Sequence, residues 1–293
     1  MIVDTHTHFY DTSRPQGVPW PPEHHKALYR PVLPEHFKAV AAPEGVTATV
    51  VVEASPLLED NQWILDLAEE NSSIVGLVGH IDPGTEEFSA QLERFSKNPL
   101  FRGIRVGAFE SGKEMSSELR ADFFNNLASR ALLRDFELLA AKDLELDALV
   151  SYDQTAGVVE VASQLPQLRI VINHVAQAAI DGKVPGSQWV EAMRRAAEQA
   201  NVYCKVSGLV ESCFDQPAPH DLDYYRPVLD ELWASFGENR LIFGSNWPVC
   251  EPSGEYGQIV KLVSTYFREK GAAATEKVLS ANAKAAYKWI DRG

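Results

Sequence analysis

The sequence is poor in cysteine, in positive charge and in long apolar runs, and each shortage removes a class of function. Its three cysteines, Cys204, Cys213 and Cys250, are odd in number and show no CxxC spacing. That argues against a disulfide framework or a cysteine-based zinc site, and for a reduced, cytoplasmic setting. Lys and Arg total 27 against 41 Asp and Glu, a formal charge of -14 over 293 residues. A field of that sign repels phosphate backbones and anionic headgroups, so neither nucleic acid nor a membrane surface is expected as a partner. A small anionic ligand stays compatible, because a local arginine can override the mean field. No apolar run approaches the roughly 18 residues of a membrane span. The chain opens directly on a strand pattern, Met-Ile-Val-Asp-Thr-His, with no basic and apolar leader before it. Nor does a Gly/Ser/Pro linker divide it, so a single domain over residues 1–293 is expected; homo-oligomerisation is left open.

What is present is an ordinary globular balance, 45% hydrophobic and 23% charged. Short β-branched runs alternate with segments of helical periodicity. The runs predict eight strands, at Ile2–His6, Thr47–Glu53, Ile74–Ile81, Gly103–Val106, Leu146–Val150, Arg169–Asn173, Val202–Val206 and Arg240–Phe243. Their near-continuous apolar character suits parallel strands buried on both faces. Helices are predicted at Glu59–Asn71, Ala121–Lys142, Gln188–Ala200, Asp223–Phe236 and Gln258–Lys270, with an added Ala-rich one at Ala272–Ile290. Strand-then-helix alternation eight times over implies an α/β fold, a single (β/α)8 TIM barrel with an additional C-terminal helix.

In such a barrel, active sites form at the C-terminal ends of the strands. Residues 9–34 follow the first strand and would lie over that mouth. They carry Pro15, Pro19, Pro21, Pro22, Pro31 and Pro34 with Trp20, Tyr29 and Arg30, a stiff segment suited to covering a substrate. The stretches Glu211–Pro227 and Glu251–Gly257 follow strands seven and eight.

Asp4-Thr5-His6-Thr7-His8 is the strongest local feature. Residues two apart on a strand project to one side, so His6 and His8 should both face the barrel mouth. There they can bind a metal or act as acid/base groups. His174 closes strand six, again at a C-terminal end. Strand eight ends Phe-Gly-Ser-Asn246-Trp247-Pro248-Val249.

Together the opening VDTHTH, CKVSGL at Cys204–Leu209 and FGSNWPV at Phe243–Val249 resemble the amidohydrolase superfamily. The resemblance runs along almost the whole chain and is nearest the branch of L-fuconolactonase, L-rhamnonolactonase and 2-pyrone-4,6-dicarboxylate lactonase. It implies catalytic roles for His6, His8 and His174, an anion-binding role for Arg105, and substrate contact or structural pairing for Lys205. Two departures stand out. The family usually reads GSDWP, where this chain has Asn246, an amide that cannot serve as a general base but can hydrogen-bond substrate. Around His174 the chain reads Asn173-His174-Val175-Ala176-Gln177, without the lysine and glycine of the family's DHxGKP loop.

Weaker candidates are Glu53 (a spare base, or a partner for Arg105 or Lys205), His80, Tyr152 with Asp153, and Trp247 in the substrate wall. His24 and His25 read as solvated. On cofactors, three converging histidines could hold one Zn2+ with an open fourth position. Asn246 is a poor ligand, however, and relatives in this branch can work without metal, so no essential metal is expected. If one is present, His6, His8 and His174 are its ligands.

The expected function is hydrolysis of a sugar-acid lactone, the carbonyl polarised by His174 and Arg105 while His6 or His8 handles the water proton. Asn246 also suits a lactone isomerase, in which a substrate hydroxyl replaces water. A zinc-dependent decarboxylase or C–C hydrolase, and a sugar-acid binder without turnover, are the further alternatives.

Overall fold

The computed structural model describes residues 1–110 and 112–292. Eight parallel strands carry the architecture: β1 (Ile2–Thr7), β2 (Val46–Val52), β3 (Ile74–Gly79), β4 (Phe101–Val106), β5 (Glu145–Ala148), β6 (Arg169–Ile172), β7 (Val202–Val206) and β8 (Leu241–Phe243). Each pairs in parallel with the next in sequence. The ring closes where Thr7 bridges Trp247 and the His8 amide N–H donates to the Trp247 carbonyl at 2.9 Å. Because successive strands pair in parallel, every chain crossover must travel over the outside, and helices fill those crossovers. The fold is the expected (β/α)8 barrel.

Valines and an isoleucine of the strands (Val3, Val50, Val52, Val75, Val78, Val171, Ile242) form one apolar cluster with Ala283, Ala286, Tyr287 and Trp289 of the C-terminal segment. That segment thereby packs against the strands. Its Tyr287 hydroxyl reaches Asp147 on β5 at 3.0 Å. The larger cluster lies between sheet and helices.

Two helical expectations need correction. Ala121–Lys142 is two helices, Ser117–Asn125 and Arg130–Ala141. The first ends where Gly157 of the helix Thr155–Gln164 crosses it: a Cβ on Gly157 would stand 2.0 Å from the Phe124 carbonyl oxygen. Only glycine admits that approach, and the chain turns through residues 126–129 before the second helix starts. Ala272–Ile290 is helical only to Tyr287, with a π-helical turn at Lys277–Ala281 between two α segments, and it stops at Lys288 in the left-handed region. Helices at Pro34–Ala41, Phe88–Phe95 and Thr155–Gln164 complete the crossovers. Among the described residues no helix is long and apolar enough to cross a membrane.

Candidate active site

His6 and His8 sit at the C-terminal end of β1, their rings 4.9 Å apart, and the His174 ring lies 4.3 Å from that of His6. Two motif glycines allow this convergence. A Cβ at Gly208, in the CKVSGL segment, would come within 2.7 Å of the His174 Cβ. One at Gly244, in FGSNWPV, would come within 2.8 Å of the His6 Cβ. His174 and Asn246 themselves hold positive φ, 50° and 63°, a backbone state that costs a non-glycine residue about 1–3 kcal/mol and clusters at functional sites.

Lys205, fully buried on β7, anchors the floor. Its three ammonium hydrogens meet the Asp147 carboxylate at 2.7 Å, the Thr5 carbonyl at 3.0 Å and His6 Nδ1 at 3.1 Å. His6 Nδ1 is therefore an acceptor, and the imidazole hydrogen sits on Nε2, which is buried without a partner. His174 receives a comparable assignment. Its backbone N–H donates to Ser207 Oγ (3.2 Å), and that hydroxyl is then free to donate to His174 Nδ1 (2.9 Å). This leaves the hydrogen on His174 Nε2. His8 is the opposite case. Its Nδ1 lies 3.1 Å from the carbonyl oxygens of both Val52 and Glu53, which only accept, so Nδ1 carries the hydrogen and Nε2 a lone pair.

All three rings are neutral. Burial, then the Lys205 charge and the neighbouring imidazoles, hold His6 well below the usual range. Burial, Lys205, Arg105 and His8 do the same to His174. Burial and Arg105 bring His8 down to about 3. Neutral imidazoles favour metal binding, but only His8 turns a lone pair inward while His6 and His174 present N–H donors. A divalent cation held by all three would need the His6 and His174 hydrogens moved off Nε2. Among the described residues no three His, Cys, Asp or Glu side chains form a metal-binding group.

Arg105 and Glu53 brace the other side. Glu53 accepts from Arg105 Nε at 3.0 Å and pairs with His80 Nδ1 at 2.7 Å, while the Glu53 carbonyl takes Arg105 Nη2 at 2.8 Å. His80 Nε2 lies 3.2 Å from Asp82. Burial alone would depress His80, but Glu53 and Asp82 outweigh it and push its pKa up to about 10. His80 is thus a fixed cation, and Glu53 a carboxylate engaged on both oxygens.

Above these groups opens a pocket of about 150 Å³, lined by His8, His174, Arg105, Asn246, Trp20 and Arg120 among others. A second cavity of about 190 Å³ adjoins it through Arg105 and Phe109 and reaches His80. Trp20 packs edge-on to His8 with ring centroids 5.8 Å apart. It is held there by the pairing of Tyr10 with Val32, which pinches the base of the proline-rich segment.

Other sequence candidates fall elsewhere. Arg30 is ion-paired to Glu251 at 2.6 Å, and Trp247 Nε1 donates to the same carboxylate at 2.8 Å. Trp247 is buried against Phe9 and Phe37, behind the site. Tyr29 points its hydroxyl at Glu23. Tyr152 and Asp153 turn outward in a 3-10 turn after β5 and line a different groove with Arg195; Leu149 takes the place at the mouth. Three groups had no sequence signal that separated them from loop filler: Glu114 and Arg120 in the pocket wall, and Glu211, which accepts from Asn246 Nδ2 at 2.7 Å. For Glu211 the one available hint was its place just after β7.

Comparison with known proteins agrees with this geometry. The family described as Amidohydrolase matches residues 3–289. An L-fucono-1,5-lactonase of Burkholderia ambifaria is 34% identical over 257 residues, covering 87% of this chain and 83% of the relative. One from Burkholderia multivorans is 26% identical over 285 residues, 95% and 93% of the two chains. Among solved structures, a Burkholderia multivorans amidohydrolase with bound HEPES superposes with a TM-score of 0.85 at 24% identity, covering 99% of this chain and all of that one. A second crystal form described with bound zinc gives 0.84. These structures speak for the shared fold.

Proposed function

This chain belongs to the amidohydrolase family, and from that premise we propose that it hydrolyses the lactone of a six-carbon sugar acid, L-fucono-1,5-lactone or a close relative. The observation that carries the reading is the polarity of the pocket. One inward lone pair, on His8 Nε2, shares a small cavity with the cationic Arg105 and with His174, whose hydrogen is on Nε2. An ester carbonyl needs donors on its oxygen, and attacking water needs an acceptor for its proton; these groups are both. The two curated relatives named as L-fucono-1,5-lactonases support the same chemistry. Arg105 and His174 polarise the carbonyl, and His8 takes a proton from water as its oxygen attacks. Collapse of the tetrahedral intermediate breaks the ring C–O bond, and His8 returns that proton to the leaving alkoxide. Residues 1–293 serve this reaction as one unit, with residues 9–34 forming a wall through Trp20.

Essential metal is not part of this proposal. In this reading His6 and His174 act as donors to an oxygen, and His8 Nε2 is the acceptor. Incubation with a panel of aldonolactones, with acid release followed directly, tests the function. Acid release from 1,5-lactones is expected; interchange of ring size without acid release would assign an isomerase instead.

A further inference from the structure

His8 Nδ1 is committed to the carbonyl oxygens of Val52 and Glu53, so the ring offers its Nε2 lone pair as the base. A hydrolase built on it needs a group that favours the imidazolium only once it forms. Strand eight does not supply a carboxylate for this, because the position holds Asn246. Asn246 Oδ1 lies 3.3 Å from His8 Nε2, and Nδ2 lies 2.7 Å from Glu211 Oε1. An amide oxygen opposite an imidazole lone pair makes no hydrogen bond. It makes a good one as soon as Nε2 carries a proton. What keeps the amide in this orientation is Glu211, whose ionised oxygen accepts and cannot donate. Its other oxygen, Oε2, is buried with no partner.

Resting on the lactonase reading, we propose that Glu211 is a positioning residue for hydrolysis: it locks Asn246 so that Oδ1 receives the Nε2–H formed when His8 takes the proton of the attacking water. The anion missing from strand eight is thus supplied from the loop after β7, through one amide. Protons balance within the step: the water O–H breaks, its proton moves to His8 Nε2 and is held by Asn246 Oδ1, then passes to the ring oxygen as the C–O bond breaks.

The lock has a release. Burial raises Glu211 to about 7 against the hydrogen bonds from its own backbone N–H and from Asn246. Its charged field reaches Cys213, Cys250 and Tyr225. Burial lifts all three above their ordinary values, so none is ionised near neutrality, and His8 beyond Asn246 is neutral too. Once Glu211 is protonated, its O–H can donate to Oδ1; the amide then turns and puts Nδ2–H on the His8 lone pair, closing off the base.

Glu211→Gln tests this, since the replacement keeps size and can still accept from Asn246 but no longer dictates its orientation. Wild-type kcat should rise with pH through about 7. The variant should be slower by about 10- to 100-fold with a flat profile there, and KM should stay within about twofold. In 15N-labelled protein, the Asn246 side-chain amide should titrate near pH 7 in the wild type and not in the variant. Equal rates with equal profiles, or a wild-type amide signal indifferent to pH, would overturn the proposal. If the variant does not fold, the wild-type amide titration decides alone. If neither protein opens any lactone, the functional reading fails. The amide signals then separately decide whether Glu211 controls Asn246.

Discussion

Glu53, through its backbone carbonyl, and Glu211, through Asn246, bear on the two nitrogens of His8, and their carboxylates are of different kinds. Glu53 is surrounded by charge: Arg105 on one oxygen, the His80 cation on the other, and its own carbonyl on His8 Nδ1. Glu211 meets a neutral amide and its own backbone N–H, and no cation, with its second oxygen buried and unpartnered. The first is a scaffold whose charge is saturated by partners that would themselves be stranded without it. The second holds a charge that its surroundings barely support, which is the condition for a proton to come and go near neutral pH.

The sharpest way to break this contrast is Glu53→Ala. It strands Arg105 as a buried cation and removes the main partner that keeps His80 charged, and removing one partner of such a network costs about 3–5 kcal/mol. Denaturant unfolding should show that loss, and pocket activity should vanish with it. Next comes His174→Ala, which removes a donor to the developing oxyanion. Steady-state kcat should fall by about 10²–10³ with unfolding little changed.

Glu211→Gln should do the reverse of Glu53→Ala to stability. The folded-state pKa is raised from 4.5 to about 7, so the folded protein is penalised for ionising this group. That penalty is absent below the unfolded value, grows as pH rises from about 4.5 to 7, and is complete above. At pH 8 the variant should therefore be more stable, by no more than about 3 kcal/mol, with the difference gone at pH 4; paired unfolding curves at the two pH values check it. The smallest effect is expected from Asn246→Asp. A new carboxylate 2.7 Å from Glu211 would share one proton with it rather than act as an independent base. Hydrolysis should not gain the 10²–10⁴ of a free general base, and its pH dependence should move upward. A large gain in acid release would mean that the native site is an isomerase or a crippled hydrolase.

Much of the framework could be read from the residues. Buried β-branched runs marked all eight strands to within about two residues; Val202–Val206 matched at both ends. The two-residue spacing of His6 and His8 placed both rings on one side. The histidine, arginine and asparagine positions follow from strand ends, which is where local sequence is most informative. Partner choice is a different kind of information. Arg30 and Trp247 read as substrate contacts, yet Glu251 engages both, a meeting set by two loops packing together. Glu211 and Asn246 are 35 residues apart, with no periodicity linking them. The close packing at the end of the helix before Asn126 involves a glycine more than thirty residues later.

The central claim is that water, activated by His8 without an essential metal, opens the ring. Turnover of L-fucono-1,5-lactone by chelator-treated protein in 18O-labelled water tests it directly, with the product analysed by mass. The account predicts one 18O in the product carboxylate at an undiminished rate. A ring-shifted lactone without label, or labelling that returns only with added zinc, would contradict it.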